Sequence, residues 1–244
     1  MPDFYTNYTS TQALRGESEA VQTRVAADNL TYNILPHLPA DRSAAILDVP
    51  CGYGRYLRAL QAHGYTNATG LDLSTEQIAF AREQLHLTNV VVGDGVAYLR
   101  EHPSSFDAVL MLDVLEHLST DDSIAWLKAA YLALRAGGVL IIQVPNSLAP
   151  FSIHYHSDLS HQRAYSPATM SQSLQLAGIR DFQHYPAFDS PSRMVGLLRM
   201  LLIRFFLNPA CSLFIKVAYG TSGGGIHTAN LLTVVHKASD NHGS

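Results

Sequence analysis

The sequence predicts an α/β fold, namely a Rossmann-like, mostly parallel sheet of seven strands with helices on both faces. Two patterns indicate it. From residue 44 to residue 150, short apolar segments alternate with segments of helical period, which is the order of a parallel sheet covered by crossover helices. Beyond that point two more apolar segments follow, and an apolar helical insertion over residues 190–225 precedes the last one. The predicted strands cover residues 44–49, 68–73, 89–95, 106–112, 138–144, 182–188 and 230–237.

Predicted helices connect these strands. The first covers about residues 17–37, with Val21, Val25, Tyr32 and Leu35 near one face at a 3.6-residue period. The helix before the fifth strand is expected to end at Gly137–Gly138, because glycine commonly ends helices. It carries Ile124, Leu127, Tyr131 and Leu134 on one face, and further helices are expected over residues 54–64, 74–85 and 167–177.

Length, charge and cysteine content restrict the class of protein. The 244 residues are expected to form one domain, residues 1–244, with an N-terminal arm and helix over 1–40. A formal charge of −4 argues against nucleic acid as a partner, since such proteins usually present a basic face. Two cysteines imply no disulfide framework, and the N-terminal segment lacks the features of a signal peptide. These observations predict a cytoplasmic protein.

The segment LDVPCGYG follows the first predicted strand. Gly52 and Gly54 permit a tight turn and a close approach of the backbone to a ligand, and the next helix offers free N–H groups. A dinucleotide fingerprint would need a third glycine where Leu57 stands, and no Gly-Lys-Ser/Thr of a P-loop is present. The turn is therefore expected to hold a ligand without a pyrophosphate.

Two acids end the next two strands. Asp72 stands about 20 residues beyond the turn, where an acid commonly takes ribose hydroxyls. Asp94 ends the third strand, where its carboxylate can accept from an exocyclic amine such as that of adenine. Together with the glycine turn, these acids are typical of a site for a nucleoside without a phosphate.

The set ILDVPCGYG, GLDLS, VVVGDG, FDAVLMLDVLEHL and LRAGGVLIIQVPN resembles the class I S-adenosylmethionine-dependent methyltransferases over roughly residues 30–185. One departure is Pro50, where the family often has glycine. The resemblance implies S-adenosyl-L-methionine as the cofactor. By this resemblance, the methionine part of the cofactor is bound by Asp48, Cys51, Gly52 and Gly54. The ribose is bound by Asp72 beside Leu73, and the adenine by Asp94 beside Gly95.

Asp113, Glu116 and His117 form D-x-x-E-H after the fourth strand, and a helical turn there would place them on one face. Two carboxylates and an imidazole can bind a divalent cation. The pattern is similar to that of small-RNA 2′-O-methyltransferases and ubiquinone-pathway O-methyltransferases, which implies Mg²⁺. His161 is the expected further ligand, with His154 and His156 as alternatives in the same loop. Without a metal, His117 or His161 is the expected general base.

The acceptor is expected to be an oxygen nucleophile, since the fourth strand lacks the Asn/Asp-Pro-Pro-aromatic motif of base N-methyltransferases. The segment DLSHQRAYSP resembles one in bacterial methyltransferases associated with sugars and glycans. That resemblance favours a sugar hydroxyl on a glycan or small metabolite, held by Tyr155, Asp158, His161 and Arg163. The alternatives are a prenylated phenol or quinone precursor, and a non-catalytic binding module that keeps the cofactor fold.

The insertion before the last strand is the second distinctive segment. Residues 194–207 are apolar except for Gly196, Arg199 and Arg204, and Asn208–Pro209 breaks this apolar run. We expect this segment to be too short and too charged to span a bilayer. A peripheral contact with the inner face of the membrane, a homodimer through 190–220 and a lid over the pocket are the three alternatives.

Overall fold

The computed structural model describes residues 19–188, 194–221 and 223–239. The predicted N-terminal arm, residues 1–15, lies outside these ranges. Seven strands form one sheet in the order β3-β2-β1-β4-β5-β7-β6, with β7 antiparallel to both of its neighbours. The strands are β1 Ile46–Asp48, β2 Ala68–Asp72, β3 Val90–Val92, β4 Phe106–Leu112, β5 Leu134–Pro145, β6 Phe182–Ala187 and β7 Asn230–His236. The predicted Rossmann-like, mostly parallel sheet is confirmed.

Helices cover both faces of this sheet, and two separate apolar clusters fill the layers between helices and strands. Four of the helices begin at side-chain caps, which satisfy backbone N–H groups of the first turn and come from Ser74, Asp94, Ser119 and Ser166. The helices are α1 Glu19–Asn29, α2 Arg55–Ala62, α3 Thr75–Glu83, α4 Gly95–Glu101, α5 Thr120–Ala133, α6 Ile153–His156, α7 Pro167–Leu176, α8 Met194–Leu202 and α9 Asn208–Tyr219.

Two helical predictions need correction. The inner face of the first helical segment contains Ala26, Leu30 and Ile34, whereas Val25 and Tyr32 are 55% and 41% exposed. Val25 and Ala26 both lie in the regular helix α1, so tertiary packing selects the small alanine and not the valine for the inner face. A π-helical turn over Leu30–Ile34 follows.

The boundary between α5 and β5 also differs from the prediction. The helix ends at Ala133, and Leu134 already pairs with Phe106 as the first residue of β5. A register shift follows, and Ala108 pairs with Val139. Residues 135–138 thus belong to the strand, because ladder pairing and not glycine content decides where the helix ends.

The insertion between β6 and β7 is one helical rod from Met194 to Tyr219. The helix continues through Pro209. A π-helical turn over Ile203–Leu207 directly precedes α9, and Pro209 lies in the first turn of that helix. The wider turn accommodates a ring that would clash with the carbonyl four residues earlier in a regular α-helix. By length and composition the rod is sufficient to cross a membrane, contrary to the expectation that it is too short and too charged.

Candidate functional site

The turn between β1 and α2 lies at the carboxyl edge of the sheet. Gly52 and Gly54 both have left-handed backbone angles, with φ of 55° and 85°. A Cβ on Gly54 would lie 2.4 Å from Cδ1 of Leu87, so packing alone requires glycine there. A Cβ on Gly52 would meet only Oε1 of Gln77 at 3.9 Å. Gly52 is thus the position where the backbone is open to a ligand.

Asp48 ends β1 directly before this turn and is 1% exposed. Neither carboxylate oxygen has a hydrogen-bond partner among the described residues. Burial raises the pKa of Asp48 to about 8, partly offset by the nearby Arg55 guanidinium. An unpartnered carboxylate in a buried position fits a cationic group supplied by a ligand, such as the ammonium of a methionine moiety. Cys51 is buried in the same turn, and its N–H donates to the carbonyl of Leu71.

Asp72 is held by the backbone on two sides. Its Oδ2 accepts from the N–H of Gly52 at 2.8 Å, and its Oδ1 accepts from the N–H of Ser74 at 2.8 Å. Burial raises the pKa of Asp72, and these backbone donors oppose the increase. The carboxylate is therefore fixed beside the glycine turn, with acceptor capacity left for hydroxyl groups. Leu73, which follows it, is 65% exposed.

Asp94 and Gly95 have evident structural roles. The exposed Asp94 caps α4, since its Oδ1 accepts from the N–H of Ala97 at 2.8 Å. A Cβ on Gly95 would lie 2.2 Å from Cη2 of Trp126, so α4 can approach α5 only with glycine at this position. Neither observation tests the predicted adenine contact, which stays a prediction.

A chain of side-chain amides connects the site to α1, and the sequence analysis did not find it. Asn29 donates to the hydroxyl of Tyr56 at 2.7 Å and to Oε1 of Gln143 at 2.9 Å. Gln143, 2% exposed, donates in turn to Asp113 at 3.1 Å. Asn33 donates to Asn29 at 2.8 Å. The one sequence signal was a glutamine inside the otherwise apolar strand segment GVLIIQV.

Glu116, His117 and His161 form a cluster at the same edge. Their ligand-type atoms all lie within 4.8 Å of one another. Nε2 of His161 lies 4.0 Å from Oε1 of Glu116, and the two imidazole centroids are 4.7 Å apart. Glu116 is fully buried, and neither of its carboxylate oxygens has a hydrogen-bond partner among the described residues. Three of the four residues predicted to bind a metal are thus brought together.

The loop between β5 and α7 supplies His161, and the backbone fixes it against the turn after β4. The N–H groups of Gln162 and Arg163 donate to the carbonyl of Glu116 at 2.7 and 3.1 Å. The side chain of Gln162 also donates to the carbonyl of His117 at 2.8 Å. Four residues that are adjacent in space therefore come from two segments more than 40 positions apart.

The hydrogen-bond network assigns the protons of both imidazoles. Nδ1 of His161 lies 2.8 Å from the carbonyl oxygen of Tyr155, which can only accept, so Nδ1 donates. Nδ1 of His117 lies 2.8 Å from Oγ of Ser160, whose own hydrogen goes to Oδ1 of Asp158 at 2.6 Å. Nδ1 of His117 therefore donates as well. In the neutral tautomers both rings keep their lone pair on Nε2.

Burial also determines the charge of this cluster. It raises the pKa of Glu116 well above the ordinary value, and the nearby Asp113 carboxylate raises it further. Burial lowers the pKa of His117, as does the neighbouring His161. Burial therefore favours the uncharged form of both groups, the protonated carboxyl of Glu116 and the neutral imidazole of His117.

Asp113 does not join the cluster, which corrects the predicted four-residue set. It lies before the 3₁₀ turn Leu115–His117 and has a left-handed φ of 56°, so it does not share a helical face with Glu116. The side chain of Gln143 donates to its carboxylate. Strained backbone of this kind is common at functional sites.

The remaining loop residues surround the cluster without adding to it. His154 and His156 are exposed, and Nδ1 of His154 lies 3.1 Å from Oδ1 of Asn230. The guanidinium of Arg163 donates to the hydroxyl of Thr120. Of the three loop histidines, His161 alone lies beside Glu116 within the described part of the chain.

Residues 46–138 match a family model described as a methyltransferase domain. A ubiquinone biosynthesis O-methyltransferase of Xanthomonas campestris pv. campestris (strain B100) is 34% identical over 161 residues, 64% of this chain and 61% of that protein. A putative methyltransferase of Bacillus subtilis (strain 168) is 26% identical over 57% of this chain and 59% of that protein. The chain thus spans about three fifths of the length of these curated relatives.

Solved structures agree on the fold. A SAM-dependent methyltransferase from Archaeoglobus fulgidus has a TM-score of 0.67 at 19% identity, covering 96% of this chain and 100% of that chain. Phosphoethanolamine N-methyltransferase 2 of Haemonchus contortus, in complex with S-adenosyl-L-methionine, has a TM-score of 0.59 at 22% identity, covering 86% and 52%. The sheet order, the turn at Gly52 and the match over residues 46–138 agree with the predicted resemblance. Residues 46–138 thus match a methyltransferase domain, and the chain has the fold of S-adenosylmethionine-dependent methyltransferases of known structure.

Proposed function

We propose that the chain transfers the methyl group of S-adenosylmethionine to a hydroxyl oxygen of its acceptor. The observation that carries the proposal is the cluster of the buried Glu116 with the half-buried His117 and His161 at the carboxyl edge of the sheet. β4, which precedes the cluster, pairs with β1, which precedes the glycine turn. A proton-accepting group therefore lies beside the place where a methyl donor would bind.

Two acids are proposed to hold the cofactor. When bound, it supplies an electrophilic methyl group on a sulfonium. The unpartnered Asp48 carboxylate binds the ammonium of the methionine moiety, and the backbone-fixed Asp72 accepts from the ribose hydroxyls. Gly52 allows the backbone to approach the ligand. Asp94 and Gly95 would contact the adenine as the family resemblance implies.

His161 is proposed as the general base. Its Nδ1–H is held by the Tyr155 carbonyl, which fixes the ring and leaves the lone pair on Nε2 to accept the hydroxyl proton. His117 lies beside it with the same tautomer and is the alternative base. A base positioned in this way typically contributes about 10²- to 10⁴-fold to the rate.

The same side chains also fit a divalent cation. The buried oxygens of Glu116 lack partners, and both imidazoles donate through Nδ1 to an acceptor, as metal-binding histidines usually do. Two imidazole nitrogens and one carboxylate favour a transition metal over the Mg²⁺ implied by the family resemblance, since Mg²⁺ prefers oxygen ligands. Such a cation would lower the pKa of a bound hydroxyl.

Two acceptor classes have support. The polar side chains of Tyr155, Asp158, His161 and Arg163 favour a sugar hydroxyl on a glycan or small metabolite. The similarity to ubiquinone biosynthesis O-methyltransferases favours a phenol with a prenyl chain instead. The exposed apolar Phe151, 88% exposed in the same loop, is consistent with the second class.

The proposal can be tested with methyl-labelled cofactor, the purified chain and an extract of the source cells. Label in an organic phase would indicate a prenylated or lipid-linked acceptor, and label in the aqueous phase a sugar or small metabolite. Asp72→Ala is expected to weaken cofactor binding at least about tenfold, as loss of charged hydrogen bonds implies. His161→Ala should leave that binding within about threefold and remove turnover.

Three results would contradict parts of this proposal. Equal loss of cofactor affinity in the two variants would contradict the division of roles. Unchanged turnover after exhaustive chelation would exclude the metal and leave the base. A chain that shows no thermal stabilisation by the cofactor would instead be a non-catalytic binding module.

A further inference from the structure

The helical rod Met194–Tyr219 presents most of its circumference to solvent. Its partly buried residues recur as one stripe, which contains Gly196, Met200, Ile203, Asn208, Cys211, Ser212 and Ile215. Thirteen large apolar side chains on the rod are exposed, more than in all the rest of the described chain. They are Met194, Val195, Leu197, Leu198, Leu201, Leu202, Phe205, Phe206, Leu207, Leu213, Phe214, Val217 and Tyr219.

The charges of the rod all have one sign. Arg199, Arg204 and Lys216 are exposed, and the sequence from 194 to 219 contains no aspartate or glutamate. The whole chain, by contrast, has a formal charge of −4. An apolar face flanked by cations without acids is complementary to an anionic lipid surface, which attracts each cation near it. In a symmetric dimer through this face, the same cations would approach one another with no acid on the rod to pair with them.

The sheet prevents the rod from crossing a bilayer. Ala187 at the end of β6 pairs with Asn230 at the start of β7. The insertion therefore begins and ends at adjacent positions on the same edge of the sheet. A rod of 26 residues is about 39 Å long, and the hydrocarbon layer is about 30 Å thick. If the rod spanned it, the polar and glycine-rich residues 220–229 would have to cross back with unsatisfied backbone groups.

The return segment is instead folded against the body. Oγ of Ser212 lies 3.0 Å from Nε2 of the buried His227, and Nδ1 of the same ring lies 3.1 Å from the carbonyl of Leu148. A Cβ on Gly223 would lie 3.0 Å from Leu148 and 3.8 Å from Ile215. The C-terminal half of the rod is therefore held beside the loop that follows β5.

We infer that this chain is a monotopic membrane-surface protein, whose rod Met194–Tyr219 lies in the headgroup region of an anionic bilayer without crossing it. The rod is tethered at the edge of the sheet where β5 ends, and the loop carrying His161 starts at that edge. On the proposed function, this orientation turns the acceptor side of the site toward the membrane, and a hydroxyl compound anchored in lipid becomes the natural substrate class.

Flotation with lipid vesicles tests the inference without cofactor or acceptor, so its result is independent of the methyl transfer. The full chain is mixed with phosphatidylcholine vesicles, with or without phosphatidylglycerol, and separated on a density gradient. We expect the chain to float with the anionic vesicles, less with the neutral ones, and less again at high salt. Washing with alkaline carbonate should release it, as for a protein that does not span.

Matched variants identify the surface. Leu198→Glu combined with Phe206→Glu should abolish flotation, because both side chains are on the exposed face, 57% and 70% exposed. Leu132→Glu places the same change on an exposed leucine of α5, 60% exposed, and should float like the wild type. Arg204→Gln with Lys216→Gln should remove the preference for anionic vesicles and keep the apolar face intact. Circular dichroism verifies that each variant is folded.

Several results would overturn the inference. A wild-type chain that remains in the soluble fraction contradicts it, as does equal flotation of the Leu198/Phe206 and Leu132 variants. Resistance to carbonate would indicate a spanning helix. A soluble dimer that becomes a monomer in the Leu198/Phe206 variant, without vesicle binding, would assign the face to a second copy.

Discussion

Two buried carboxyl groups at the edge of the sheet, Asp48 and Glu116, have similar environments and different neighbours. They are 1% and 0% exposed, their oxygens have no hydrogen-bond partner among the described residues, and burial raises the pKa of both. Arg55 lies near Asp48, whereas the imidazole of His161 lies beside Glu116. An acid without an internal partner marks a place where the partner comes from outside, and its neighbours indicate whether that partner is a ligand cation, a proton or a metal.

The largest expected effect is a loss of turnover in a Glu116 variant, which distinguishes the role of Glu116 from that of Asp48. Glu116→Gln keeps the size of the side chain and removes the ionisable group. We expect the methyl-transfer rate to fall by about 10² or more, because His161 and any bound cation lose the adjacent carboxyl group. Cofactor affinity, measured by calorimetry, should remain within about threefold of the wild type.

Stability provides the control for this variant. The raised pKa means that the folded chain binds a proton that the unfolded chain releases, so Glu116 lowers the free energy of unfolding as pH rises above its unfolded pKa. Glu116→Gln should therefore be at least as stable as the wild type near neutral pH in urea titrations. If Glu116→Gln retains the full methyl-transfer rate, the role of Glu116 is structural and not catalytic.

Asp48→Asn should affect cofactor affinity instead. Losing a charged partner for the ammonium is expected to weaken binding about 10- to 100-fold. The affinity of the wild type should rise between about pH 6 and 8 and then level off. In that range free Asp48 is mostly protonated and must release its proton on binding, since its pKa is about 8. The slope has an upper limit of about tenfold per pH unit.

The pH series of the variant is the matched control. Asp48→Asn should bind with an affinity that is nearly independent of pH over the same range. If the affinity of the variant and that of the wild type depend on pH with the same slope, another group titrates in this range. Asp48 would then not be the acid that controls cofactor binding.

The smallest expected effect concerns Asp94, an acid that does have an internal partner. Asp94→Ser keeps a side-chain oxygen for the helix cap, whereas Asp94→Ala removes it and should cost about 1 kcal/mol in the free energy of unfolding. If Asp94 also contacts the adenine, both variants should bind the cofactor a few-fold more weakly. If Asp94→Ser binds the cofactor with the affinity of the wild type, Asp94 serves only as the cap of α4.

The strands and the glycine turn could be predicted from sequence because both are local. Gly52 and Gly54 have left-handed backbone angles that favour glycine, and the apolar segments that form β1 to β5 need no knowledge of their partners to be recognised. The approach of His161 to Glu116 could be proposed only through family resemblance, since the two residues lie on different segments. Neither the sequence nor the resemblance indicated that Glu116 would be buried without a partner.

The errors arose where tertiary packing and backbone geometry override a pattern counted along the chain. Val25 is exposed and the neighbouring Ala26 is buried in the same regular helix. The rod, which was expected to be too short to span, continues through Pro209 after a π-helical turn at Ile203–Leu207. The left-handed Asp113 broke the expected helical face with Glu116. Such departures depend on tertiary contacts, and a repeat counted along the chain does not contain them.

The pairing of Ala187 with Asn230 makes β6 and β7 an antiparallel hairpin whose connecting loop happens to contain the rod. Because the entropy cost of closing a loop grows slowly with its length, such a loop can be enlarged or shortened at a cost of about 0.6 kcal/mol per doubling. We therefore expect the segment proposed to contact lipid to be replaceable. Its exchange for a short turn should leave the sheet in register and yield a form that does not bind membranes, so the proposed location and the proposed chemistry of this chain can change independently.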